Sequence, residues 1–138
     1  MRHRQHRPDL LLIDDVEDDQ SVRSKEGRDK TYDWLVREVL PIGDENTKIM
    51  IVGNLLHRDS LIMRIQKDIK QGRRKGIFRS YPIIDDNKKI SWPAKFPTTK
   101  EIEELKLKIG DEKAWKQEYV LKIVYDEKFG PLEETFLK

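Results

Sequence analysis

The sequence predicts an α/β fold in which a parallel sheet is flanked by helices. Two nearly continuous apolar stretches, at residues 10–13 and 48–53, have the length and pattern of strands that are buried on both faces. The segments that follow them carry apolar residues at intervals of three and four, which is the period of a helix. Because helices alternate with strands along the chain, a parallel sheet is the natural architecture.

The first predicted helix covers residues 24–40 and follows an acidic loop at 16–20. Ser24 can cap its N-terminus, and Pro41 with Gly43 ends it. One face of this helix is apolar and should enter the core. It consists of Tyr32, Leu35, Val36, Val39 and Leu40.

The second predicted helix follows the second strand. Asp59 can cap it, and Gly72 fits its C-terminal end. Its apolar residues Leu61, Ile65 and Ile69 fall on one face, which predicts a second helix packed on the sheet.

A third strand is expected at residues 77–84, where Pro82 favours an edge position because it cannot donate a ladder hydrogen bond. This strand would complete a partial core domain at residues 1–84. Residues 85–138 are then expected to form a tether and a helical linker. The tether carries Trp92 and Phe96, each followed by proline, and these two aromatic side chains should pin it onto the core.

The linker shows clear helix boundaries. Thr98 and Glu101 have the spacing of a capping box, and Gly110 ends the helix behind them. Asp111 can cap one more helix, whereas the tail from Asp126 onward gives little signal.

Composition limits the classes of function. The 138 residues are 39% charged, yet 28 basic and 26 acidic residues leave a net charge of only +2. The chain is therefore not a general polyanion binder by charge alone. It has no cysteine, which excludes disulfides and thiolate metal sites. No signal peptide and no membrane-length apolar run are recognisable, so we expect a cytoplasmic protein that does not bind membranes.

The strongest local signal is a run of four apolar residues followed by two acids, at 10–15. This is the shape of a Walker B motif, in which a strand carries a carboxylate to the ligand-binding edge of an α/β sheet. There Asp14 would hold Mg²⁺ on nucleotide phosphates, and Asp15 would orient or deprotonate the attacking water. The alternative is that these acids only cap a turn or face solvent. Three more acids follow closely: Glu17, Asp18 and Asp19. Together with Asp14 and Asp15 they could form a metal site, or they could belong to a solvated loop.

The loop after the second strand adds polar groups at the same predicted edge. In motor ATPases the strand beside Walker B often ends in a polar residue that senses the γ-phosphate, and Asn54 occupies that position. His57 is a second candidate for this coupling role, with a structural or surface role as the alternative. Arg58 could face a neighbouring subunit's nucleotide.

Taken together, these motifs resemble the large subunit of bacteriophage terminases over about residues 7–122. Their order and spacing carry the resemblance more than any single motif does. The similar stretches are 7–18, Val22-Arg23-Ser24 with Trp34, Gly53-Asn54-Leu55-Leu56-His57-Arg58-Asp59-Ser60-Leu61, Trp92-Pro93 with Phe96, Gly110, and Gln117-Glu118-Tyr119.

The resemblance implies part of a P-loop NTPase-type sheet in an ATP-driven DNA-packaging motor, with Mg²⁺ and ATP as cofactors of the complete protein. It implies double-stranded viral DNA, the portal protein and the terminase small subunit as partners, and an oligomer in the complete motor. Asp14 matches the Walker B acid. Asp15 stands where the family commonly has a catalytic glutamate, and since aspartate is shorter, Glu17 is the alternative base. Asn54 stands where threonine is common.

The chain departs from this family in one large respect. It contains no Gly-rich loop ending in Lys-Ser or Lys-Thr, and the stretch 72–76 is not one because it follows a helix and lacks the hydroxyl residue. The metal-binding aspartates of the family's nuclease domain would be expected beyond residue 138. We therefore expect a fragment that hydrolyses negligible ATP alone and that exposes a sheet edge and apolar surface.

Two other functions stay open. The chain could be a non-catalytic interaction module of a DNA-packaging complex. It could also be a small metal-dependent nuclease, with two metals held by the acids at 14, 15, 17 and 18 and by Asp85-Asp86. A basic group that could touch DNA phosphates, or simply be a solvated helix end, consists of Lys70, Arg73, Arg74 and Lys75.

Overall fold

The computed structural model describes residues 6–123. Two strands, β1 (Leu10–Asp14) and β2 (Lys48–Val52), pair in parallel, with Leu10 opposite Lys48 and Asp14 opposite Val52. The predicted α/β class and the parallel pairing are confirmed. A sheet of two strands in the described part of the chain is too small to define a P-loop NTPase-type fold.

The connection between the strands is helical. A short helix, α1 (Asp19–Arg23), begins where an acidic loop was expected, because Asp18 and Ser21 form a capping box. It is followed by α2 (Lys25–Trp34). As predicted, Ser24 caps the N-terminus of this helix: its side chain accepts the Gly27 N–H at 3.0 Å. This helix continues as a π-helical turn (Leu35–Val39) and a 3₁₀ turn (Leu40–Ile42).

The helix after β2 is α3 (Leu61–Lys70), and its cap differs from the prediction. Ser60 accepts the Met63 N–H at 3.4 Å, whereas the Asp59 carboxylate binds two arginines. The predicted end is confirmed: Gly72 has a φ of 73°, a conformation that glycine adopts without a Cβ penalty.

Helix α2 with its π-helical turn, and helix α3, pack on the same face of the sheet. Ile13, Leu35 and Leu61 form the buried centre, and partly buried apolar side chains surround them: Tyr32, Val39, Leu40, Ile51 and Ile65. The other face is uncovered in residues 6–123, so the prediction of strands buried on both faces is wrong. The expected exposed apolar surface is present.

No third strand forms at residues 77–84. Ile84 makes only an isolated antiparallel bridge to Ile90, and the Ile83 N–H donates to the Tyr119 carbonyl at 2.8 Å. The segment thus hydrogen-bonds to later parts of the chain instead of the sheet edge, and the predicted third strand is wrong.

The first helix of the linker begins and ends as predicted, and the second begins as predicted. α4 (Thr99–Ile109) has the Thr98–Glu101 capping box and ends at Gly110, which is left-handed with a φ of 65°. Asp111 caps α5 (Glu112–Ala114), which continues as a π-helical turn (Trp115–Val120).

The tail from Asp126 onward, for which the sequence gives little signal, lies outside the described residues.

In the tether the two aromatic side chains contact each other. Trp92 is 57% exposed and packs edge-on against Phe96, with 6.4 Å between ring centroids. The Lys95 ammonium lies 4.8 Å from the Trp92 centroid. These aromatic contacts of Trp92 are with its neighbours in sequence, and Phe96 is half-buried, so the expected anchoring of the tether by the two side chains stays a prediction.

None of the helices within residues 6–123 combines the length and the apolarity that crossing a bilayer requires.

Candidate functional site at the carboxyl end of the sheet

The two parallel strands end at the same edge, and this brings three predicted site residues together. Asp15, Glu17 and Asn54 line a small pocket with the N-terminus of α3 at Leu61. The pocket volume is about 10 Å³. That is space for about one water molecule, provided polar groups face it.

Asp15 reaches this pocket through an uncommon backbone conformation. Its φ is 49°, in the left-handed region, and its N–H donates to the Val52 carbonyl at 2.9 Å. Aspartate tolerates this region better than most residues because its side chain can hydrogen-bond locally. The turn takes the chain off β1 directly after Asp14, which separates the two acids of the Walker B-like run.

Glu17 has one carboxylate oxygen in use and one free of protein donors. Its Oε1 accepts the Leu61 N–H at 2.9 Å, at the positive end of α3, and its Oε2 is buried without a hydrogen-bond partner in residues 6–123. Burial raises the pKa of Glu17, and backbone hydrogen bonds from Leu61 and Ile62 offset part of that effect. A carboxylate with a raised pKa beside a water-sized space has the chemistry of a general base.

Asn54 joins the sheet edge to the end of the described chain. Its side-chain amide donates to the Glu118 carboxylate, in the π-helical turn after α5. Glu118 was not among the predicted site residues. It belongs to the Gln-Glu-Tyr stretch of the family resemblance, but nothing in sequence spacing links positions 54 and 118.

His57 has a structural role in this loop. Its Nδ1 accepts the Asp59 N–H at 2.9 Å, and the residue does not line the pocket. Burial lowers the pKa of His57, and the positive charge of Arg28 lowers it further, so the imidazole is neutral near pH 7. In the same loop the Nη2 of Arg58 is buried without a partner among the described residues.

An ion-pair network that the sequence did not predict holds this loop against α2. The Asp59 carboxylate accepts from Arg28 Nε at 2.9 Å and from Arg64 Nε and Nη2 at 2.9 and 2.8 Å. Arg28 also donates to the Val22 carbonyl at 2.9 Å, and Arg64 to Asp29 at 2.8 Å. Burial alone would raise the pKa of Asp59, but the hydrogen bonds from the two arginines outweigh it and lower that pKa.

Asp14 lies apart from the pocket. It is exposed and alternates with buried Ile13, so it occupies the uncovered face of the sheet. Carboxylates are among the ligands that Mg²⁺ prefers, but residues 6–123 contain no group of three or more histidines or acids close enough to hold one ion. Asp14, Asp15 and Glu17 therefore do not form a metal cage by themselves.

The same finding bears on the nuclease alternative. The Asp85 carboxylate accepts the N–H groups of Asn87 and Lys89 within its own turn, and Asp86 pairs with Lys122 at 2.6 Å. Within the described range, neither acid forms a metal-binding group with the carboxylates at the end of β1 and in the loop behind it.

Two of the four basic residues at the end of α3, Arg73 and Arg74, bind one buried acid. Asp68 is 6% exposed and accepts from Arg73 Nη2 at 2.8 Å, Arg74 Nε at 3.1 Å and the Tyr32 hydroxyl at 2.8 Å. These contacts fix the loop and neutralise part of its charge. They support a structural role for the two arginines over a phosphate-binding one.

Comparison with known protein families, with characterised proteins and with solved structures found no match to this chain. The resemblance to terminase large subunits therefore stays a prediction.

Proposed function

We propose that this chain is part of a packaging-motor ATPase of the terminase type and supplies the water-activating side of its catalytic site. One observation carries the proposal: the parallel strands bring Asp15, Glu17 and Asn54 around a pocket with room for about one water molecule. This is the edge of an α/β sheet at which ligands are generally bound.

The chemistry assigned to this chain is limited to its own residues. Glu17 acts as the general base for a water in the pocket, because its side chain lines that pocket and burial raises the pKa of its carboxyl group. Asp15, which directly follows β1, orients that water. Asn54 couples the site to the linker, since its amide already contacts Glu118.

The described residues do not fit ATP by themselves. No Gly-rich phosphate loop occurs in the 138 residues, and no metal cage forms in the described part. The phosphate-binding elements of the proposed motor therefore have to come from another polypeptide segment, and this chain alone should hydrolyse negligible ATP.

The test starts with the DNA on both sides of this reading frame. A Gly-rich Lys-Ser or Lys-Thr loop upstream, in frame or after a shift, is the expected result. The joined polypeptide should then hydrolyse ATP, and Glu17→Gln should lower kcat by about 100-fold or more with little change in KM.

Asp19→Asn is the matched control for this measurement. Asp19 is an exposed acid in the first turn of α1 that does not line the pocket, so its substitution should leave kcat unchanged. If no phosphate loop is encoded nearby, or if Glu17→Gln and Asp19→Asn behave alike, the motor proposal fails.

A second candidate function is a non-catalytic interaction module. The observation that favours it is the uncovered apolar face of the sheet, where Leu10, Leu12, Met50 and Val52 are 49–60% exposed. This function would tolerate alanine at Asp15 and Glu17, which separates it from the motor.

A further inference from the structure

One face of the two-stranded sheet carries no covering element in residues 6–123. Alternation along the strands puts six side chains on this open sheet face: Leu10, Leu12, Asp14, Lys48, Met50 and Val52. The four apolar side chains are about half exposed: Leu10 54%, Leu12 60%, Met50 55% and Val52 49%. Exposed apolar side chains that lie next to one another on a single face make this face a candidate interaction surface.

The two charged residues lie at opposite ends of the open sheet face. Lys48 is paired with Leu10 at the amino end, and Asp14 is paired with Val52 at the carboxyl end. They are about 13 Å apart along the strands at roughly 3.3 Å per residue. Neither side chain forms an ion pair with another residue of the described range.

We propose that the open sheet face binds a second copy of this chain across a two-fold axis that lies in the interface, perpendicular to the strands. An axis at the level of the Leu12–Met50 pair reverses the strand direction, so Lys48 of one copy lies at the same end as Asp14 of the other. The backbones of the two residues are then separated sideways by one strand spacing, about 4.8 Å, and by the roughly 10 Å between facing sheets. An extended lysine side chain and an aspartate side chain together span that separation. The same contact occurs twice, and the apolar centre packs on itself.

The charge pattern is the reason for a second copy over another partner. The face is self-complementary, with a cation at one end, an anion at the other and apolar side chains between them. Sheets pack face to face about 10 Å apart with strands within about 30° of alignment, which this arrangement allows. Since only four apolar side chains per copy are buried, the interface falls below about 1,200 Å² and the dimer should be weak and reversible.

The test is sedimentation velocity of the full chain over a range of concentrations, in EDTA and without nucleotide. A reversible monomer–dimer equilibrium is expected. Asp14→Lys and Lys48→Asp each place like charges together and should raise the dimer Kd about tenfold or more. The double variant exchanges the two charges and should restore the original Kd.

A matched pair of leucines controls for general stickiness. Leu12→Lys should abolish the dimer, whereas Leu107→Lys on α4, at an 80% exposed leucine, should leave it intact. Circular dichroism checks that each variant is folded. Monomers at every concentration overturn the proposal. Loss of the dimer in both single variants without rescue in the double contradicts the two-fold pairing.

Discussion

Replacing Asp59 by asparagine should reveal how strongly the loop after β2 is held. The substitution keeps the shape of the side chain and removes the charge that Arg28 and Arg64 share. Arg28 is only 9% exposed, and after the change its hydrogen-bond acceptors are all neutral: the Val22 carbonyl and the amide oxygen of the new side chain, for which Arg64 competes. A nearly buried guanidinium would then lack a counter-ion.

The magnitude follows from the burial of the partners. Removing one partner of a buried ion pair costs about 3–5 kcal/mol, whereas a surface pair contributes about 0–1 kcal/mol. The Arg28 side chain is 10% exposed, but that of Asp59 is 31% exposed, and Arg64 keeps its contact with Asp29. We therefore expect Asp59→Asn to lower the free energy of unfolding by about 2–3 kcal/mol.

Urea unfolding at neutral pH measures this change, with Lys25→Met as the matched control. The Lys25–Asp29 pair is exposed, at 68% and 42%, so its loss should leave the urea midpoint almost unchanged. The double variant Arg28→Met with Asp59→Asn should cost less than the sum of the single changes, because the two residues are in contact. If Asp59→Asn matches Lys25→Met, the network does not stabilise the fold and the reasoning is refuted.

The same variant has an expected pH dependence. The folded pKa of Asp59 lies below its ordinary value of 3.8, so its contribution to stability is present above that value. It is lost as the pH falls through the lower folded pKa. Asp59→Asn should therefore weaken the loss of stability in acid, which urea midpoints measured above and below pH 3.8 detect.

Two further changes test the core and the pocket. Leu35 is fully buried, so Leu35→Ala should lower the free energy of unfolding by about 2–5 kcal/mol, whereas Leu107→Ala should change it by less than about 0.5 kcal/mol; equal effects would contradict the assigned core. Burial raises the pKa of Glu17 above 4.5, so the stability that Glu17 contributes is present below that pH and lost as the pH rises through the folded pKa. As the pH rises above 4.5, the urea midpoint of Glu17→Gln should therefore increase relative to that of the wild type, and an unchanged difference would contradict the burial of this carboxyl group.

Local features of the fold were predictable from the sequence. The apolar runs predicted β1 and β2, and Ser24, Gly72, Gly110 and the Thr98 capping box marked helix ends correctly. Caps and left-handed glycines depend on residues a few positions apart, so the sequence contains the interactions that decide them.

Contacts between distant residues were not predictable in this way. Asp59 was expected to cap α3 and instead binds Arg28, which is 31 positions away. Whether Asp59 caps α3 or binds Arg28 depends on how α2 packs beside α3. Both roles are compatible with the residues that neighbour Asp59 in sequence.

The candidate site shows the same division. The acids after β1 and the polar loop after β2 are visible in the sequence, and parallel pairing brings Asp15, Glu17 and Asn54 together. Only the tertiary structure separates Asp14 from them, because a left-handed Asp15 turns the chain at the strand end.

The sequence by itself therefore determined the parallel α/β class and the ends of most helices. The tertiary structure decided which face of the sheet is covered and which carboxylates meet. A continuous apolar strand is compatible with one covered face or two, and only the positions of α2 and α3 on the same side left the other face open.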